Sequence, residues 1–428
     1  MLLSFSPFFQ NPLSPPSPKN PNPGPRPPNS HQILHLSTNG DEPTYQTERG
    51  LRFETEGAFF RHESATGRDL GVLSASLYRR SRQQLRVLDA MCGCGVRSLR
   101  YLAEAGADFV VANDANDYHR RVILSNLKSV DRGCGESKRW VVTHFDANRI
   151  LSECYLNSDF YDLIDVDSFG SDSSFLRTVF NAIKRGGLLY LTSTDGYSSG
   201  GHRPYNTLAA YGAFIRPMPY SNEVGLRMVI GGAVREASAQ GYHVTPLFSY
   251  YSYHGPVFRV MLTVNRGTLP ENKDYGFISY CNQCGNSQSY SWEELGQISC
   301  PCSNTIGSRS LVVSGPLWIG PLHDATHLTE MLNLAEQWGW VGNDTGTDLE
   351  KLLLRMLDES DPRLPSGYIK LDEVASRAKI NSPPLKVMMS AMHKEGYAAS
   401  RSHIASNAIK TNCPMMDCIR IAKELQGC

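Results

Sequence analysis

Apolar positions along the 428-residue chain follow two rhythms. Short runs recur between residues 85 and 266: LRVLDA (85–90), DFVVAND (108–114), RWVVTHFDA (139–147), YDLIDVD (161–167) and GLLYLTSTD (187–195). Their length and β-branched content predict strands. Between them apolar residues return at helical spacing, as at Phe175, Val179 and Ile183. Nearly continuous apolar strands separated by helices imply a parallel sheet covered on both faces. The block closes with YHVTPLFSYYSY and GPVFRVMLTVN (242–265), separated by little more than His254 and a Gly-Pro pair, which predicts an antiparallel hairpin. Further on, HDATHLTEMLNLAEQW, TDLEKLLLRMLDES and PPLKVMMSAMHKEG carry amphipathic helical patterns. The stripe of Met388, Met389 and Met392 is expected to be core.

The N-terminus has no such rhythm. Ten of the 25 prolines lie in the first 30 residues, and no acid precedes Asp41. Such a stretch forms neither helix nor ladder. Its Ser content and lack of acids suggest a transit peptide, with a chloroplast favoured over a mitochondrion because arginine is sparse; a plain tail on a nuclear or cytoplasmic protein is the alternative. The expected division is a tail (1–48), an α/β domain (49–268), a small cysteine-bearing module (269–320) and a helical, winged-helix-like domain (321–428). No apolar run approaches the roughly 18 residues of a membrane span, and a monomer is expected. Formal net charge is zero, so a polyanionic partner would need a local patch. The arginines at 79, 80, 82, 86, 97 and 100 are candidates for phosphate contacts, or else a solvated surface.

Candidate chemistry sits at strand ends. LDAMCGCG puts Asp89 at the end of the first strand and Gly93 and Gly95 in the turn before a helix, where backbone can approach a ligand closely. A dinucleotide fingerprint wants a third glycine at 98, and this chain has Ser98. Asp114 ends the second strand, placed for ribose hydroxyls, and Asp146 ends the third, placed for an adenine amino group. With the terminal hairpin, these features favour a Rossmann-like methyltransferase domain using S-adenosylmethionine (SAM) over a nicotinamide-binding one. DLIDVDSFGS (162–171) then ends the fourth strand on Asp165 and Asp167, followed by Phe169. A carboxylate there can accept a proton from a nucleobase amine, and a ring can stack on the base; Asp167 as a helix cap and Phe169 as core is the plainer alternative. Cys281, Cys284, Cys300 and Cys302 form C-x2-C-x15-C-x-C. That spacing suits structural Zn2+ in a zinc-ribbon-like element, with reduced thiols as the alternative.

FFRHESATGRDL, LDAMCGCGVRSLRYLAEAGADFVVAND, DLIDVDSFGS, GGLLYLTSTDG, SNEVGLR, GPLWIGPL and RSHIASNAIKT occur in that order. Together they resemble the tRNA (guanine-26, N2)-dimethyltransferase family over roughly residues 50–412. The resemblance implies that Arg68 and Arg97 serve the donor site, with Arg68 on the methionine carboxylate. It assigns Asp114 to the ribose, and Asp146 with Ala147 to the adenine. Asp167 would be the acceptor at guanine N2, and Phe59 and Phe169 would sandwich the flipped base. The chain departs from the family pattern at Ser168, where proline is common, and at Arg61-His62, where the family has Asn-Pro. These departures bear on substrate position and on the second methylation. The competing expectations are a methyltransferase for another exocyclic nucleobase amine and a non-catalytic tRNA-binding paralogue.

Overall fold

The computed structural model describes residues 45–133, 138–267, 273–300, 302, 310–342 and 347–427. The proposed address segment lies outside these residues. The expected tail boundary at 48 is too late. Tyr45–Glu48 (β1) pairs with Leu51–Glu54 (β2), because Glu48 is buried against Arg68 and Arg100.

The sheet follows the predicted runs: Arg86–Asp89 (β3), Phe109–Asn113 (β4), Trp140–Thr143 (β5), Tyr161–Asp167 (β6), Ile183–Ser193 (β7), Tyr242–Ser252 (β8) and Val257–Arg266 (β9). Their order is β5-β4-β3-β6-β7-β9-β8. β3 to β7 run parallel, and β9 is antiparallel to both β7 and β8. The chain leaves β3 in one direction for β4 and β5, then returns to lay β6 on its other side. A crevice opens at the carboxyl ends where the order reverses, the usual ligand position in an open α/β sheet.

Helices Ala147–Leu156, Ser173–Ala182 and Ser221–Ala239 bury Leu151, Val179, Phe180 and Leu226 against one face. Helices Ala65–Arg82, Val96–Ala103 and Arg120–Leu127 bury Leu70, Leu73, Leu99 and Ile123 against the other. Within β6, Leu163, Ile164 and Val166 are fully buried, each stabilising the fold by roughly 1.5–3 kcal/mol.

Tyr275–Cys281 (β10), Ser287–Tyr290 (β11) and Leu311–Trp318 (β12) form a small antiparallel sheet carrying the cysteines. The expected boundary at 321 moves. Helices Ala325–Gln337 and Asp348–Asp358 bury Leu328, Met331, Leu353 and Met356 in the same core as Leu70 and Leu73, so they belong to the large domain. The last domain begins near Ile369–Lys370 (β13). Together with Ala399–Arg401 (β14) and Ala408–Thr411 (β15), β13 makes a three-stranded sheet, packed by helices Leu371–Ala378, Leu385–Lys394 and Met415–Glu424. Met388 and Met392 are buried there and Met389 packs against them. Glu223 of the large domain joins the two: fully buried, it accepts from Arg227 Nε at 2.8 Å, Lys410 Nζ at 2.8 Å and the Gly367 N–H at 2.7 Å.

Candidate active site

The glycine turn after β3 has the conformation its residues imply. Gly93 (φ +56°) and Gly95 (φ +81°) are left-handed, a region that disfavours any Cβ. The turn, the end of β6 and the segment 59–68 enclose a cavity of about 600 Å³. Phe59, Arg68, Gly93, Arg97, Asp114, Asp167 and Phe169 all line it, so one space gathers most of the residues singled out from the sequence. Asp114 Oδ2 accepts from the Gly93 N–H at 2.9 Å, and its Oδ1 accepts from the Asn116 N–H at 2.9 Å. That pins the carboxylate at the mouth of the turn, where it can also receive hydroxyls.

Four of the expected donor-site residues, Asp89, Gly95, Asp146 and Ala147, are not among those lining the cavity. Asp89 is fully buried behind the turn and accepts from Ser98 Oγ at 2.7 Å. Burial, and then the charge of Asp165, push its carboxyl well above the usual range. Asp146 caps helix Ala147–Leu156, accepting from the N–H groups of Asn148 and Arg149. Neither Asp146 nor Ala147 is among the residues lining the cavity.

Arg97 lines the cavity, as expected of a donor-site residue, and has a further part in it. Its guanidinium bridges Asp165 Oδ2 at 2.8 Å and Asp167 Oδ2 at 2.9 Å. Asp165 is enclosed and also accepts from Tyr101 Oη at 2.6 Å, so it serves as support. Asp167 keeps 30% of its side chain open. Burial alone would raise its pKa, but Arg97, followed by Arg259, holds it below the ordinary aspartate value. The outcome is an ionised carboxylate facing the cavity.

The residue after it is also tethered. Ser168 is buried and donates from Oγ to the Thr192 carbonyl at 2.9 Å. This bond holds the strand end where proline would have stiffened it. Phe169 follows, 72% exposed, and meets Phe59 edge to face with centroids 4.8 Å apart and planes at 78°. A flat base between parallel rings needs about 7 Å, two contact distances of roughly 3.5 Å. The expected sandwich is therefore closed here, and the two rings must part to admit a base.

One edge of Arg68 is already committed. Its Nε and Nη2 both donate to Glu48, and Nη2 also donates to the Arg61 carbonyl. The arginine-rich stretch is likewise largely spent within the fold. Arg79 pairs with Asp108, Arg86 with Asp159, and Arg100 with Glu48, Asp69 and Glu104. Its expected phosphate-binding role has little free charge behind it.

Sequence reasoning missed Arg259 on β9, which lines the cavity while only 2% exposed. Its signal was present: one arginine in the apolar run VFRVMLTV. His254, on the turn between β8 and β9, lines the same cavity and was passed over as a hairpin residue.

Two clusters elsewhere have metal-ligand composition. Cys281, Cys284, Cys300 and Cys302 converge, with Sγ–Sγ distances of 3.6 Å (281–302), 3.3 Å (284–300) and 3.3 Å (300–302). Four thiolates about 2.3 Å from a tetrahedral Zn2+ would stand about 3.8 Å apart, so the set fits with small adjustment. The second cluster is His323, Glu359 and His403. Burial pushes His323 down to about 4, so it is neutral and carries one ring hydrogen. The Ser249 N–H donates to its Nδ1 at 3.3 Å, and its Nε2 lies 3.8 Å from Glu359 Oε2. Glu359 Oε1 in turn accepts from the His403 N–H and Nδ1. His323 Nε2, Glu359 Oε2 and His403 Nε2 are buried without a hydrogen-bond partner, so the three side chains retain ligating atoms as well as joining two histidines to one carboxylate.

A family model for N2,N2-dimethylguanosine tRNA methyltransferase matches residues 43–423. The tRNA (guanine(26)-N(2))-dimethyltransferase of Aeropyrum pernix is 30% identical over 367 residues, covering 83% of this chain and 86% of that protein. The enzyme of the same name from Saccharolobus solfataricus is 28% identical over 374 residues, covering 86% and 91%. The fold is similar to that of Trm1 from Pyrococcus horikoshii, solved with S-adenosyl-L-methionine. The TM-score is 0.74 at 24% identity, over 88% of this chain and 99% of that one. With the match running nearly end to end, the chain belongs to the N2,N2-dimethylguanosine tRNA methyltransferase family.

Proposed function

We propose that this protein methylates the exocyclic N2 of a guanine in tRNA, position 26 by analogy with its relatives, and proceeds to the dimethyl product. The observation that carries the reading is Asp167: ionised by Arg97, at the end of β6, in one cavity with the glycine turn and two exposed rings. The turn and Asp114 fit SAM, which when bound supplies an electrophilic methyl group.

The other tasks fall to the chain. Guanine N2 is a poor nucleophile because its lone pair is delocalised into the ring. Asp167, accepting a hydrogen bond from N2–H, orients the amine. The low proton affinity of Asp167 is no handicap, because N2 becomes strongly acidic as it gains the methyl. Help of this kind is typically worth ~10²–10⁴ in rate. Phe59 and Phe169, once parted, stack on the flipped base for about 1–3 kcal/mol.

An RNA partner gains support from a second cleft of about 590 Å³. It is lined by Arg355, Lys370, Tyr251 and the strongly exposed Tyr253. The turn between β8 and β9 is its shared wall, since Tyr253 faces this cleft and His254 faces the first. Phosphate contacts there predict salt-dependent binding. The four cysteines support structural Zn2+ that braces this half of the molecule. A chloroplast address and a monomeric state are carried as proposals from the sequence.

The test is incubation with unmodified tRNA and labelled SAM, followed by mass spectrometry of the nucleosides, beside Asp167→Asn. N2-methylguanosines from the wild type and a rate at least 10²-fold lower in the variant are expected. RNA binding without label transfer would favour the non-catalytic paralogue. Label on adenine would favour the other amine.

A further inference from the structure

The cations of the arginine-rich stretch are spent inside the fold, whereas free ones lie on the segment that follows β7. Between Asp195 and Glu223 the sequence holds no acid, and it carries His202, Arg203 and Arg216 among Tyr197, Tyr205, Tyr211 and Phe214. Asp195 itself is committed as the cap of helix Gly196–Ser199, accepting from the Ser198 N–H at 3.0 Å. His202, Arg203 and Arg216 are exposed. Among the described residues, neither arginine has an ion-pair partner. Tyr197 is 63% exposed and Tyr205 76%. The Arg203 guanidinium lies over the Tyr197 ring, 4.9 Å from its centroid, and His202 meets the same ring at 6.4 Å. Single exposed rings are ordinary on a protein surface, but rings interleaved with unpaired cations match what a nucleic acid binds.

The segment is built against the cavity that holds Asp167. Thr194, just before it, lines that cavity. Its N–H donates to the Gly170 carbonyl at 2.7 Å, and its Oγ1 accepts from the Gly170 N–H at 2.7 Å. The loop bearing Phe169 is thereby laced to the start of the segment. A Cβ at Gly196 would come within 2.7 Å of Pro256, which also lines the cavity. Gly201 is left-handed (φ +71°), and a Cβ there would come within 2.5 Å of the Arg216 backbone. These two glycines let the segment fold tightly on the cavity wall, with the turn at 201–203 beside Arg216.

We propose that residues 196–216 form a platform for the RNA strand beside the flipped guanine. Tyr197 and Tyr205 stack on bases whose faces the flip uncovers, and Arg203 with Arg216 neutralises neighbouring phosphates. This inference rests on the function proposed above. RNA is the favoured occupant on two counts. The free charge is of one sign, opposite to that of a phosphate backbone, and the patch is continuous with the wall that carries Asp167 and Phe169. A second copy of this chain has no net charge to answer it.

The test measures binding of unmodified tRNA to the full chain over a series of salt concentrations. Tyr197→Ala and Tyr205→Ala should each weaken binding about 5- to 150-fold, one lost base stack, while Tyr197→Phe keeps the wild-type affinity. Arg203→Gln should reduce the slope of log affinity against log salt by about 0.7, the value for one phosphate on a single strand, and Arg203→Lys should restore it. Affinity for S-adenosylhomocysteine should be unchanged in every variant, which separates a lost RNA contact from a damaged fold. Unchanged tRNA affinity and slope in the alanine and glutamine variants would overturn the proposal. So would a wild-type dimer that these variants lose while tRNA binding stays intact, which would make the patch an interface between copies. If the predicted contrast appears but the wild type leaves tRNA unmethylated, the proposed function fails while the platform stands.

Discussion

Replacing Arg97 by methionine should expose how the carboxylate end of β6 is held. Arg97 has 4% of its side chain exposed and Asp165 none, so this is a pair whose partner cannot turn to water. Removing one member of a buried pair typically costs 3–5 kcal/mol, because the other charge is left uncompensated. Two features of the site pull the figure to the lower end, about 3 kcal/mol. Tyr101 Oη still donates to Asp165 at 2.6 Å, and the carboxyl of Asp165, already raised by burial, can take up a proton. The pH dependence follows in sign. In the wild type Asp167 is depressed by Arg97, so its contribution is present above the unfolded pKa and is lost as pH falls through the folded value. Without Arg97 the folded carboxyls bind protons more readily than the unfolded ones, and stability then falls as pH rises. Urea unfolding at pH 5.5 and 7.5 should therefore show a lower midpoint at unchanged slope, with a larger deficit at pH 7.5. The acid limb of methyl transfer should move to higher pH. Equal midpoints for variant and wild type at both pH values, with an unmoved acid limb, would refute this account of Asp167.

Phe169→Ala should raise KM for tRNA about 5- to 150-fold, the equivalent of one lost base stack, with little change in SAM affinity; steady-state kinetics with each substrate varied decides it. Native mass spectrometry should find one zinc per chain, absent in Cys281→Ser, and chelation should lower the melting temperature without abolishing binding of S-adenosylhomocysteine. Lys410→Met should cost about 3 kcal/mol in urea unfolding, the low end for a broken buried pair, because Arg227 stays on Glu223 at 2.8 Å.

Strand identity was legible because the central strands β3, β4, β6, β7 and β9 are mostly buried, so apolar runs leave little alternative. Domain edges were not. The helix Ala325–Gln337 has the same amphipathic pattern whether it faces its own domain or docks on Ala65–Arg82, and only the fold shows that it does the second. Within the site, residues fixed by backbone chemistry were readable: the glycine turn, Asp114 on it, and Asp167 before an aromatic. Residues defined by what they pair with were not. Arg97 and Arg68 were placed in the right cavity, yet their carboxylate partners come from residues distant in sequence: 68 positions for Asp165 and 20 for Glu48. Asp146 has a second role that its position also allows, since an acid at a strand end can cap the next helix, and here its Oδ1 does.

The Glu223 junction has a consequence for choice of target. Lys410 and the Gly367 N–H reach it from the far domain, and Ile404 and Ala408 extend the large domain's apolar core across the same boundary. A seam that is both ionic and oily does not hinge. Under the proposed function, an RNA held by the far domain would meet Asp167 at one set span, as if against a caliper.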